Sequence, residues 1–206
     1  MSITNYSDLK TQVANYLGRS DLTSQIPTFI SLAELRLNRT LRIRQMLKTA
    51  TAAMTAGDST VGLPSDFLQM RDIFVDGNPR IAINYVTPSN FTRDARATES
   101  GKPVFYTMRG MEFEFAPVPD AAYTLQMLYY AKPTALSDSN TSNVFLANCP
   151  DALLYGSLLE AEPYLMNDAR LTTWTTLYNA SVDRMNMSDD EAEYAGVPIS
   201  MKLSTR

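Results

Sequence analysis

Histidine is missing from the 206 residues, and cysteine occurs once, as Cys149. Those two gaps remove a large block of chemistry. A Ser-His-Asp triad, a Cys-His pair, a histidine general base and a histidine-ligated metal cannot be assembled, and a lone thiol closes no disulfide within the chain. No run of about 18 apolar residues, the length that reads as a membrane-spanning helix, is present. The opening Met1-Ser2-Ile3-Thr4-Asn5 has neither the basic nor the apolar region of a secretory leader. A soluble chain made and kept in the cytoplasm, with no membrane partner, is the expectation. The eight glycines form no G-x-G-x-x-G or Walker pattern, so no phosphate-cradling loop is expected. Basic residues are in deficit, with 18 Lys and Arg against 22 Asp and Glu and a net charge of −4. That balance argues against a free-standing binder of nucleic acid or of anionic membranes.

Carboxylates are what is left for acid–base work, and Asp66, Asp72, Asp76, Glu112 and Glu114 fall within one stretch of the chain. Their spacing matches no catalytic motif. Glu112 and Glu114 alternate with Met111, Phe113 and Phe115, which reads as a strand with one buried and one solvated face. No catalytic residue, cofactor or metal is expected, and a carboxylate-based hydrolase is the alternative from another class. Cys149 sits beside a helix start, where a thiol's pKa can fall, but a lone cysteine next to a cap more often has a structural role.

The best-marked element runs from Pro150. Asn148 or Cys149 can cap it, Pro150 and Asp151 suit its first turn, and Leu153, Leu154, Leu158, Leu159 and Ala161 spread over more than one face. Gly156 leaves room for another backbone to approach. Such a helix belongs in a core. Before it, Tyr6, Leu9, Val13 and Leu17 recur at helical spacing between a cap at Thr4 or Asn5 and a stop at Gly18. Pro27 then opens a second helix, with Ile26, Phe29, Ile30, Ala33, Leu37 and Leu41 on one side, that is expected to run to about Arg44. It carries Arg36, Arg39, Arg42 and Arg44, a local basic excess in an acidic chain. These arginines are candidates for a solvated face, a subunit or partner contact, or a surface facing DNA.

From Lys48 the helical period fades into short strands separated by Gly, Pro, Asn and Asp. Expected strands are 48–54, 60–63, 68–75, 80–85, 104–108, 111–115 and 123–130, forming an antiparallel sheet. One hairpin is expected to turn on Asp76-Gly77-Asn78-Pro79 and another near Arg109-Gly110. A short helix is expected from Pro88 to about Ala97. Tyr123, Tyr129 and Tyr130 suit packing better than base stacking, since no basic residues interleave them. Residues 135–147 read as a linker by composition. After the Pro150 helix, Leu171, Trp174, Leu177, Tyr178, Val182 and Met185 repeat at helical spacing, and the last two helices should form an antiparallel hairpin.

The fold class is therefore α+β: a helical bundle from 1–47 and 148–195, a β-rich insert over 48–147, and a tail at 196–206 expected to be mobile in the isolated subunit. Val197, Pro198, Ile199, Met201 and Leu203 make that tail a candidate docking segment for a neighbouring subunit or partner.

Several segments together resemble the bacteriophage head-to-tail adaptor family of short-tailed phages. They are Tyr6-Ser7-Asp8-Leu9, Arg19-Ser20-Asp21-Leu22 with Gln25-Ile26-Pro27, Ala33-Glu34-Leu35-Arg36-Leu37-Asn38-Arg39, Leu63-Pro64-Ser65-Asp66-Phe67-Leu68 with Met70-Arg71, Tyr123-Thr124-Leu125 with Tyr129-Tyr130-Ala131-Lys132, Leu136-Ser137-Asp138, and Pro150-Asp151-Ala152-Leu153-Leu154-Tyr155-Gly156. The resemblance implies a non-enzymatic virion protein without cofactors. It implies a homo-dodecameric ring beneath the portal protein that extends the DNA channel and docks tail or nozzle proteins during virion assembly, genome packaging and ejection. DNA would pass without sequence-specific binding. The expected location is the head-to-tail interface of the virion, with the host cytoplasm during assembly. The nearest alternative is another phage structural part, a tail-completion or tail-tube protein.

Overall fold

A computed structural model describes residues 3–77, 79–166 and 168–195. The chain begins with α1 (Tyr6–Leu17) and α2 (Ile26–Thr40). It continues through β1 (Leu47–Met54), β2 (Thr60–Gly62), β3 (Phe67–Val75), β4 (Ile81–Ala82), β5 (Asn84–Tyr85), α3 (Pro88–Arg93), β6 (Phe105–Arg109), β7 (Glu112–Ala116) and β8 (Tyr123–Ala131). It closes with α4 (Val144–Asn148), α5 (Pro150–Leu165) and α6 (Leu171–Tyr194). The class is α+β, and two units divide the chain: residues 1–45 with 133–206, and residues 46–132.

In the helical unit, local chemistry sets the ends of each helix. The Asn5 side chain accepts from the Asp8 amide at 2.8 Å to start α1, and Gly18, at φ 65°, turns the chain out of it. The second helix stops at Thr40, four residues short of the expected Arg44, because Leu41 takes an extended conformation. Arg42 explains why that end is stable: its Nη1 donates to the carbonyls of Asn38 and Leu41, which the last turn leaves without helical partners.

The centre of this unit is α5, which packs against α1, α2, α4 and α6. Ala152, Leu153, Leu154, Leu158 and Leu159 are all buried, as expected of a helix that is apolar on more than one face. Met166, at φ 53°, ends it. The chain then returns antiparallel. Trp174 donates to Glu162 near the end of α5 at 2.8 Å, Tyr178 lies against Gly156 at mid-helix, and Ser181 and Arg184 line a cleft with Cys149 and Asp151 at its start. Gly156 makes room for side chains rather than for a backbone. A Cβ built there would meet the Ala33 Cβ at 3.1 Å and the Tyr178 ring at 3.2 Å.

Residues 135–147, polar enough to read as a linker, group with the helices. The buried carboxylate of Glu34 holds them, accepting from the Leu136 amide at 3.1 Å and from Asn143 Nδ2 at 2.6 Å. Asn143 in turn caps α4 through the Leu146 amide at 3.0 Å. Five residues leave no measurable period, so this short helix has no signature in the sequence.

The β unit holds two four-stranded sheets rather than the single one expected, in the orders β1-β8-β3-β4 and β2-β7-β6-β5. Among the described residues, the named strands pair antiparallel except β5 with β6, which is parallel. The expected strand 80–85 is broken because the chain changes sheets at Ile83: the residues before it pair with β3 and those after it with β6, while Ile83 itself is buried. Both predicted hairpins form, flanked by Val75 opposite Ile81 and Arg109 opposite Glu112. Phe113, Phe115 and Tyr106 of one sheet share a cluster with Ile73, Val75, Leu125, Met127 and Tyr129 of the other. Met111 does not join Phe113 and Phe115. It lies in the turn after Gly110 and is 73 % exposed, since alternation buries side chains only where the strand is paired over a core.

A candidate interaction surface on the helical unit

The four arginines singled out in the sequence do not share one helix face. Arg36 pairs with Glu160 of α5, with Nε to Oε1 at 2.8 Å, and its guanidinium lies over the Tyr178 ring. Arg42 caps α2. Arg44 lies in a 3-10 turn beyond α2, where its amide donates to both oxygens of buried Asp189 at 3.1 Å and its Nε stands 3.6 Å from the same carboxylate. Arg39 differs from all three: it is exposed and has no hydrogen-bond or ion-pair partner among the described residues. The tail residues Val197, Pro198, Ile199, Met201 and Leu203 lie outside the described residues.

Around Arg39, α2 presents Thr28, Leu32 and Leu35 at i, i+4 and i+7, with Arg39 at i+11 on the same face. Leu32 and Leu35 are 42 % and 39 % exposed. On α6 a second exposed face holds Asp183, Met187, Asp190, Glu191 and Tyr194. Sequence reasoning ranks the helix faces that build the core and passes over these two. The signal for the first is the heptad-like spacing of Thr28, Leu32, Leu35 and Arg39, offset from the core stripe.

Of the carboxylates weighed for catalysis, Asp66, Asp76 and Glu114 have side-chain partners within the β unit. Asp66 accepts from Lys48 at 2.6 Å and from the Tyr129 hydroxyl at 2.8 Å, and the Lys48 hydrogen bond holds its carboxyl below the ordinary 3.8. Glu114 pairs with Arg109 at 3.0 Å, and Asp76 with Arg80 at 3.7 Å. Glu112 is exposed at the β6–β7 turn. The tyrosines serve packing: Tyr129 is buried on Asp66, Tyr130 accepts from Arg71 at 3.0 Å, and Tyr123 donates to Asp120 at 2.7 Å.

The sequence profile of the SU10 adaptor proteins matches residues 4–202. The chain belongs to that family. It is a phage adaptor protein, and the match runs through both of its units. No curated protein matches the chain. No described helix of the adaptor is long and apolar enough to cross a membrane.

Cys149 departs from the low pKa that a helix start can confer. It is the N-cap residue of α5 but makes no side-chain cap, and burial, with a smaller contribution from Asp151, pushes its thiol up to about 12. The thiolate is the reactive form, so the folded adaptor should resist labelling by a disulfide reagent such as DTNB at pH 8 and release one equivalent of colour only in denaturant. Rapid labelling of the native protein would contradict this placement.

Proposed function

We propose that the adaptor assembles head to tail into a ring, expected to be twelvefold, beneath the portal of a short-tailed phage, where it extends the DNA channel and gives tail or nozzle proteins a docking surface. The match along residues 4–202 carries the reading. The protein works as a structural part without catalysis. It is located at the head-to-tail interface of the virion after assembling from subunits in the host cytoplasm. DNA passes during packaging and ejection without sequence-specific contact, and a net charge of −4 suits a channel that must not grip a polyanion. The tail at 196–206 docks on a neighbouring subunit or partner. A heterologous contact closes a ring only at the right rotation, so the portal serves as the template.

Mass photometry of the purified adaptor with and without the portal protein, followed by imaging of the complex to count its symmetry, tests the reading. A closed ring on the portal is expected. An adaptor that stays monomeric with the portal present overturns it.

A further inference from the structure

From the two exposed faces of the helical unit, we infer that the seam between adjacent copies pairs α2 of one copy, through Leu32, Leu35 and Arg39, with α6 of the next, through Met187, Asp190 and Glu191. This deepens the ring reading and rests on it.

Three observations converge on a second copy as the occupant. The first is charge. Glu34, the only acid of α2, is buried, so the outer face of that helix carries Arg39 unopposed. From residue 183 to residue 191, α6 exposes Asp183, Asp190 and Glu191 against the single cation Arg184, because Asp189 is buried on Arg44. The second is shape. Each face sets an apolar centre beside its charge: Leu35 one turn before Arg39 with Leu32 a turn earlier, and Met187, 63 % exposed, one turn before Asp190 and Glu191. Placing Leu32 and Leu35 against Met187 brings Arg39 within reach of the two carboxylates, since one helical turn separates the apolar and charged positions on both helices.

The third is self-incompatibility. The acidic α6 face repels a second copy of itself, and an α2 face meeting its own copy leaves Arg39 without an acidic partner. Neither patch meets its opposite charge in a contact with its own copy, whereas the two together do so in a head-to-tail contact, the kind that closes into a ring. Exposed ion pairs are weak and screened by salt, so the charges select the register while the apolar side chains and the portal template hold the seam. Assembly should accordingly weaken as salt is raised.

The test uses full-length adaptor with portal, at low salt, in two charge-reversed forms. Arg39→Glu alone and Asp190→Arg/Glu191→Arg alone should each need at least tenfold more protein to form the ring. An equimolar mixture should recover assembly. In it the acidic α2 face of the first form meets the basic α6 face of the second, and the remaining seams join a native face to a native face, giving an even number of alternating copies. Matching circular-dichroism melts establish that the variants fold, the substituted sites being exposed. A second measurement uses Leu35→Cys in one copy and Met187→Cys in another, joined by a short bis-maleimide. Cys149 is buried and does not compete.

Rescue by mixing and cross-linking between copies bear the seam out. If the wild type forms a ring while both charge-reversed forms assemble equally well, or while the mixture fails to recover, the seam is overturned and the ring reading stands. If the wild type forms no ring even with portal, both fall.

Discussion

A Gly156→Leu protein is expected to lose about 3 kcal/mol of stability, the upper part of the usual range for overpacking a filled core. A single Cβ at this position already stands 3.1 Å from Ala33 and 3.2 Å from the Tyr178 ring, so the remaining three carbons of leucine have nowhere to go unless α2 or α6 moves. For a chain of this size a loss of that magnitude lowers the melting temperature by about 6–12 °C. The matched control is Gly156→Ala. Alanine gains about 1 kcal/mol in helix propensity over glycine while compressing the same two contacts, so its melt should stay close to wild type. A double change, Ala33→Gly with Gly156→Ala, moves the extra methyl from one helix to the other and should relieve the compression. A leucine variant melting within about 2 °C of wild type, less than a 1 kcal/mol change would produce, would show that α5 does not sit as tightly between α2 and α6 as these distances require.

Phe113→Ala should cost about 3–5 kcal/mol, the range for removing a fully buried aromatic ring. Phe113 has no exposed surface and sits edge-on to Phe67 at 5.6 Å and to Tyr106 at 5.8 Å, between side chains of the two sheets. Its loss empties the contact that lets β7 pack over β3 and β8. Native-state hydrogen exchange offers the sharpest readout, because a local loss of packing appears as lost protection at the amides of β6, β7 and β8 even where a thermal melt of a chain with two units is not a single transition. Unchanged protection in those strands would refute the central placement of this ring. Met111→Ala, one step outside the paired strand and largely exposed, should be close to neutral and provides the contrast.

The contrast between Phe113 and Met111 marks how far the sequence can be read. Periodicity locates every long helix and nearly every strand, since burial of one face imposes a spacing that a single chain displays. Caps are legible for the same local reason: Asn5 with Asp8, and Gly18, are fixed by backbone groups a few residues away. Features decided by distant partners are hidden. Glu34 looks like a surface acid on a basic helix, and only the arrival of Leu136 and Asn143, more than a hundred residues on, makes it a buried acceptor. The change of sheet at Ile83 depends on β3 and β6 lying on either side of it, which no local pattern announces. For the candidate surface, the four arginines are visible as a cluster. Their separate fates are not, because Glu160 and Asp189, the partners that occupy Arg36 and Arg44, come from the far end of the chain. The family likeness along the chain is legible in ordered short motifs, and the profile match bears it out.

The first and last strands of the β unit, β1 and β8, pair along eight residues, from Leu47 opposite Tyr130 to Met54 opposite Tyr123. The β unit therefore begins and ends at neighbouring points of one sheet, about a strand spacing, about 5 Å, apart. A segment attached in that way is a cassette. It can lengthen, shorten or be exchanged during evolution without altering the distance its host must span. Remodelling of the β unit to suit a different neighbour thus leaves its two ends where they are.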